Sequence, residues 1–355
     1  MAHIQLVAFD NAVGNSKDLM LLETALKALG HHTTRRIINA SERRQRRGAL
    51  RFWWHRFRSH RRAQRDARFD ITIFLEHVYP QALGFARAQV LIPNPEWFDR
   101  HDRRWLTSLS ELWSKTRQAH ELFSNLTPNV QFLGFTSEDG YAPHVLKQPK
   151  FIHLAGKSRM KGTQDLLNCW ALHPDWPTLT VIHSGSVQFN FHNASNLISI
   201  DRYLSSEELT RLLNEHRFHL CPSETEGWGH YIPEAMSMKN TVLTLDAPPM
   251  NEHIDATRGI LFHCQLKGTQ HIAPLYCLDD KALIEWMHQW RYHLSGAEFD
   301  SIGDRAREHF LANHAQFIAH LQQRFTEILN RLNHASDNAS DQPAGNHHRD
   351  VRSGY

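Results

Sequence analysis

FHLCPSETEGWGHYIPEAMSMKNTVLTLD, residues 218–246, decides the fold. FHLCPS (218–223) is a short apolar run, Gly227 and Gly229 allow a tight backbone turn, and Pro233 suits the first position of a helix. TVLTLD (241–246) is β-branched again. The stretch reads as strand, turn, helix (233–239) and strand, one step of a parallel α/β sheet. Glu226 precedes the turn and Glu234 falls in the first helical turn. Backbone N–H groups near 229–232 then face the strand's carboxyl end, which suits phosphate.

The same rhythm extends both ways along the 355 residues. HIQLVAF (3–9), HTTRRII (32–38), DITIFLE (70–76), AQVLIPN (88–94) and VQFLGF (130–135) read as strands, with helical patterns at 17–29, 41–66 and 116–125. TSEDGYAPHVLKQPK (136–150) interrupts the pattern. It then resumes through FIHLAG (151–156), LTVIHS (179–184), LISI (197–200) and GILFHC (259–264), with helices at 162–172 and 205–215. We expect two facing Rossmann-like domains, 1–145 and 146–333, with a ligand cleft between them at the strands' carboxyl ends. Helix fills most of 281–333, and the polar, aperiodic 334–355 reads as a disordered tail.

Four cysteines, Cys169, Cys221, Cys264 and Cys277, stand apart without a C-x-x-C pair, which fits a reducing, cytoplasmic compartment. MAHIQLVAFD does not read as a signal peptide, and no run approaches the roughly 20 apolar residues of a membrane span. Four N-x-S/T triplets, at Asn39, Asn125, Asn193 and Asn338, therefore carry little weight.

The net charge of +3 conceals an asymmetry. Residues 35–68 hold 13 arginines against Glu42 and Asp66, so this segment carries +11 and the remainder −8. On a helix, Leu50, Trp53, Trp54 and Phe57 share one face. Three readings stay open: an amphipathic helix packed on its own sheet, attachment to an anionic membrane surface, or phosphate contacts to nucleic acid, the least favoured.

Taken by spacing alone, Glu226 and Glu234 could be an acid/base pair or two ends of a ligand grip. Pro222, Ser223, Glu226, Gly227, Gly229, Glu234, Ala235 and Met236 match P-S-x-x-E-G-x-G-x-x-x-x-E-A-M in register. This resembles the signature of the retaining nucleotide-sugar glycosyltransferases of family 4 (glycosyl transferases group 1), which have the GT-B fold. FIHLAGKSRMKGTQDLLNCW (151–170) is similar to the family's first strand and loop of the nucleotide domain. The likeness covers 151 to about 262 and is only architectural before that.

The resemblance implies a UDP- or GDP-sugar donor and a glycan or lipid-linked acceptor. By it, Lys161 meets the donor phosphates and Lys157 flanks them. Glu226 contacts the transferred sugar and Glu234 the ribose, while Gly227, Trp228, Gly229, His230 and Tyr231 line the donor. It also implies a substrate-side role for His77, at the end of DITIFLEH, and for Gly14 in DNAVGNSKD (10–18). Two departures from the family stand out: DNAVGNSKD lacks the usual double glycine, and VIHSGS offers only Gly185. With no D-x-D and no H-E-x-x-H, no metal or other cofactor is expected, and Lys161 takes a metal's place against the leaving phosphate. The alternative is a non-catalytic GT-B-like protein that binds nucleic acid or anionic membrane through the arginine segment. The location expected is cytoplasmic, with attachment to the membrane's inner face as an option.

Overall fold

Strands that bury both faces read as unbroken apolar runs, and β1 (His3–Phe9) is such a strand, buried from Ile4 to Ala8. The computed structural model describes residues 1–10, 14–45, 67–184, 191, 194–293 and 295–340. In it β1 lies inside a parallel sheet with β2 (His32–Ile38), β3 (Phe69–Leu75), β4 (Ala86–Ile92), β5 (Glu111–Ser114) and β6 (Val130–Phe132), in the order β2-β1-β3-β4-β5-β6. Ile4 pairs with Ile71 and Ile73 with Val90, which aligns the apolar rows across the sheet.

A second parallel sheet holds β7 (Gln148–Gly156), β8 (Leu179–His183), β9 (Leu197–Ile200), β10 (His216–Cys221), β11 (Thr241–Leu245) and β12 (Ile260–Phe262). Its order is β12-β11-β10-β7-β8-β9. A two-stranded antiparallel ribbon, β13 (Cys264–Gln270) and β14 (Ala273–Leu278), follows it. Neither this ribbon nor β5, whose sequence is ELWS, is visible as a period-2 pattern.

The helices are α1 (Gly14–Ala28), α2 (Ala40–Gln45), α3 (Arg100–Arg103), α4 (Arg117–Ser124), α5 (Thr163–Ala171), α6 (Ser206–Glu215), α7 (Tyr231–Ser237), α8 (Met250–His253), α9 (Asp280–His293) and α10 (Gly296–Ser340). Only the start of the expected 41–66 helix, within α2, is described; 46–66 and Gly185 lie outside the described residues. Arg35 pairs with Glu23 and Arg36 with Glu42, so the first two arginines of the basic segment serve the local fold.

The last helix serves both cores. Phe299 and Ile302 belong to the core of the second sheet. Further along α10, Phe317, Leu321, Phe325 and Ile328, spaced to form one stripe, sit in the same apolar cluster as Ile4, Leu6, Ile71 and Trp113. The helix crosses from the second domain and completes the core of the first. It also continues to Ser340, so 334–340 are helical rather than part of a tail, because extending an existing helix costs far less than starting one. Residues 341–355 lie outside the described residues.

Candidate active site

Each sheet reverses its strand order once, between β1 and β3 and between β7 and β10. Loops leaving such a pair diverge and open a crevice at the carboxyl ends. The loops after β7 and β10 carry Lys157, Lys161 and residues 222–230, and those after β1 and β3 lead to Gly14 and to Glu76 and His77.

On the second domain, Gly162 adopts φ 64, and a Cβ there would collide with the Pro222 carbonyl oxygen. The Glu224 N–H donates to the Met160 carbonyl at 2.9 Å. Loop 157–161 is thus held against the end of β10. Lys161 Nζ lies 2.6 Å from Glu226 Oε1 and 3.4 Å from the centre of the Tyr231 ring. Ser223 Oγ donates to the same Glu226 oxygen at 2.6 Å and lies 2.5 Å from the Tyr231 hydroxyl. A serine has one proton to give, so Tyr231 must donate to Ser223. Burial pushes the Tyr231 phenol well above its ordinary pKa, which keeps that proton in place. Lys157, in contrast, is exposed.

Helix α7 begins at Tyr231, with Pro233 third rather than first. The first four N–H groups of a helix have no partner within it, so proline's missing donor is tolerated there. Glu234 then reaches the first domain: its Oε1 lies 2.5 Å from Lys17 Nζ, with Glu138 3.5 Å from the same lysine. Burial opposes the Lys17 charge, but Glu234 and Glu138 outweigh it and hold its pKa above the ordinary value.

His230 and Trp228 tie the domains together. His230 Nε2 is 2.8 Å from Asp18 Oδ1, its Nδ1 is 2.8 Å from Ser137 Oγ, and Lys115 Nζ is 2.8 Å from Asp18 Oδ2. Burial alone would raise the Asp18 carboxyl, yet Lys115 and His230 hold it below the ordinary range. Trp228 Nε1 donates to Ser137 at 3.0 Å, and its ring lies in the first domain's core beside Phe135. Glu252 adds a further tie, accepting the Arg117 and Gln118 N–H groups at 2.7 and 2.8 Å at the start of α4.

On the first domain's wall, Glu76 has φ 66, a left-handed conformation that strains a residue with a side chain. His77 Nδ1 is 2.9 Å from Asp102 Oδ2, and Asp102 Oδ1 accepts the Val78 N–H at 3.1 Å, so a fully buried carboxylate orients the ring. Asn94 packs so closely on Gly227 that a Cβ there would collide with it. Glu96, 5% exposed, is pushed up to about 8, by burial first and then by the charges of Glu226 and Glu76.

Lys161, Glu226, Tyr231 and Gly227 therefore meet in one place, with Glu234 one helical turn beyond. Gly229, φ 79, makes the turn between them. His77 stands on the opposite wall, and Gly14 opens α1 with space about it, one turn before Lys17. The sequence reading missed Lys17, Asp18, Glu96, Asp102 and Lys115. The legible trace of these is the chain position of Asp18 and Lys115 at the mouths of strand-to-helix loops. Among the described residues no three His, Cys, Asp or Glu side chains converge as metal ligands.

No protein-family model matches this chain, and no curated protein does. Solved structures do. A glycosyltransferase from Rickettsia africae ESF-5 shares 14% identity at a TM-score of 0.63, over 92% of this chain and 98% of that one. Anabaena HepE, solved in complex with UDP and glucose, shares 13% at 0.63, over 93% and 100%. TarM shares 14% at 0.58 over 73% of this chain, which spans only 54% of TarM's length. What is common at such identities is the architecture: two Rossmann-like domains facing across a cleft, the GT-B fold.

Proposed function

We propose that this chain is a retaining glycosyltransferase that moves a sugar from a nucleoside-diphosphate donor to a glycan or lipid-linked acceptor. The observation that carries this reading is the Tyr231–Ser223–Glu226–Lys161 chain at the switch point of the second sheet. It places a cation and an oriented carboxylate where a GT-B fold holds its ligand.

When the bond between the anomeric carbon and the diphosphate oxygen breaks, the oxygen keeps the electron pair and the sugar becomes cation-like. Lys161 meets the negative charge that develops on the phosphate, an interaction stronger in the transition state than before it. Exchanging Glu226 for phosphate as its partner releases Glu226 to bind sugar hydroxyls. Glu234, leaving Lys17 in the same way, accepts from the ribose. The acceptor attacks the face from which the phosphate departs, and the phosphate takes its proton, so configuration is retained.

The test is thermal shift against UDP, GDP and ADP and then the matching sugars, since only a ligand of the folded state raises Tm. Transfer by the donor found should be lost in Lys161→Ala and Glu226→Ala. Wild-type rates in both variants would overturn the reading. If the acceptor is lipid-linked, the arginine segment supplies a surface for anionic bilayers. Co-sedimentation with phosphatidylserine vesicles that weakens with salt would then be seen, and none at low salt would remove that element.

A further inference from the structure

The reading above uses Lys161, Glu226 and Glu234 and leaves a second set of polar groups idle beside Glu226. Among the buried side-chain atoms of the described residues that make no hydrogen bond, Asn94 Oδ1, Glu96 Oε2 and Thr225 Oγ1 lie on the two segments that flank Glu226. Glu96 is 5% exposed and Thr225 2%. Buried polar atoms are almost always satisfied, and unsatisfied ones on two segments that touch call for a partner. Asn94 and Glu96 follow β4 on the first domain, Thr225 follows β10 on the second, and the two groups touch where Asn94 meets Gly227.

We propose that Asn94, Glu96 and Thr225 form the edge of the site that reads hydroxyls of the donor's transferred sugar, with the Glu96 carboxyl as a hydrogen-bond donor among them. This rests on the function proposed above. A sugar hydroxyl both gives and accepts a hydrogen bond, so it can donate to Asn94 Oδ1 and accept from Glu96, satisfying both at once. The charged groups acting on Glu96 are Glu226 and Glu76, which favour its neutral form, and Lys115, which opposes it; burial dominates all three and holds the proton to about pH 8. Beyond these stand Lys161, paired with Glu226, and His77, 3.6 Å from Glu76. The charges of Glu76 and Glu226 on one side of the pocket also select the sugar's class: a neutral hexose is accepted and a uronic acid is repelled.

The experiment is calorimetric titration with UDP, UDP-glucose and UDP-glucuronic acid at pH 7 and pH 9, for wild type, Glu96→Ala, Glu96→Gln and the isosteric Thr225→Val. Should GDP-mannose or UDP-N-acetylglucosamine give the largest thermal shift, that sugar and its nucleotide replace the first pair. The wild type should bind the neutral nucleotide sugar more tightly than the nucleotide at pH 7 and lose most of that margin at pH 9, where Glu96 is ionised. Glu96→Ala should lose at least tenfold on the nucleotide sugar and less than twofold on the nucleotide. Glu96→Gln, which cannot ionise, should keep the margin at both pH values, and Thr225→Val should lose part of it at both. A wild type that favours the nucleotide sugar by a margin unchanged in Glu96→Ala, or a Glu96→Ala equally weakened for both ligands, overturns this proposal alone. A wild type that binds no nucleotide or nucleotide sugar overturns it together with the function it rests on.

Discussion

The two walls of the cleft are built differently. On the second domain Ser223, Glu226, Tyr231 and Glu234 come from one stretch of the chain, and only Lys161 is brought from another loop. On the first, Lys17 comes from α1, Glu76 and His77 from the loop after β3, Glu96 from that after β4, Asp102 from α3 and Lys115 from the end of β5. One wall is a continuous motif whose backbone turns and side-chain chemistry occupy the same residues. The other is an assembly of parallel strand ends, and it becomes a surface only once the sheet has formed.

This difference can be broken experimentally, and the largest effect should come from far outside the cleft. Phe325→Ala removes a fully buried ring from the stripe by which α10 closes the first domain. It should cost about 3–5 kcal/mol in denaturant unfolding. A loss below about 1 kcal/mol would mean that the first wall does not depend on the helix.

On the motif wall, Lys161→Ala should lower kcat by about 10²–10³, or roughly 3–4 kcal/mol, with little change in Tm. A comparable fall in Tm would make Lys161 a structural rather than a catalytic group. Glu96→Gln probes the assembled wall by stability. Folded Glu96 keeps its proton to about pH 8 whereas the unfolded chain releases it near 4.5. The folded state therefore binds more protons between those values, and wild-type stability falls as pH climbs through that window. The glutamine variant lacks this slope and should be more stable at pH 7 by up to about 3 kcal/mol, with the gain vanishing near pH 4. A gain independent of pH would refute the assignment.

The smallest effect belongs to the join between the walls. Glu252→Ala removes the carboxylate that accepts two N–H groups at the start of α4. About 1 kcal/mol should be lost, as for other helix caps, with Thr116 still accepting the Ala119 N–H. Hydrogen exchange at Arg117 and Gln118 should quicken, and unchanged exchange would mean that the contact does not persist in solution.

What could be read in advance follows the same division. The strand-turn-helix rhythm was legible because parallel strands are short apolar runs set between glycine and proline signals. The placing of Glu226 and Glu234 on either side of a tight turn was legible because that turn has its own demands on sequence, whereas Lys161 entered only through the family resemblance. Glu96 and Asp102 were not, since nothing in IPNPEW (92–97) or FDRHD (98–102) distinguishes a buried carboxylate from a surface one. The groups they meet, His77 and Val78 for Asp102 and Glu76 and Glu226 for Glu96, come from other parts of the chain. The path of α10 was hidden for a related reason: its apolar spacing shows that one face is buried, but not against which sheet.

That path sets an order of events during synthesis. A ribosome makes the first sheet before the second, yet residues 317–328, which cover it, follow the whole second sheet. A nascent chain ending at Lys147 would display Ile4, Leu6, Ile71 and Trp113 without their cover, a surface inclined to aggregate or to recruit chaperones. The second domain, whose core is complete by Phe310, can settle first. The sheet that is made first is then the one that finishes folding later, and the cleft takes shape only once residues 317–328 are in place.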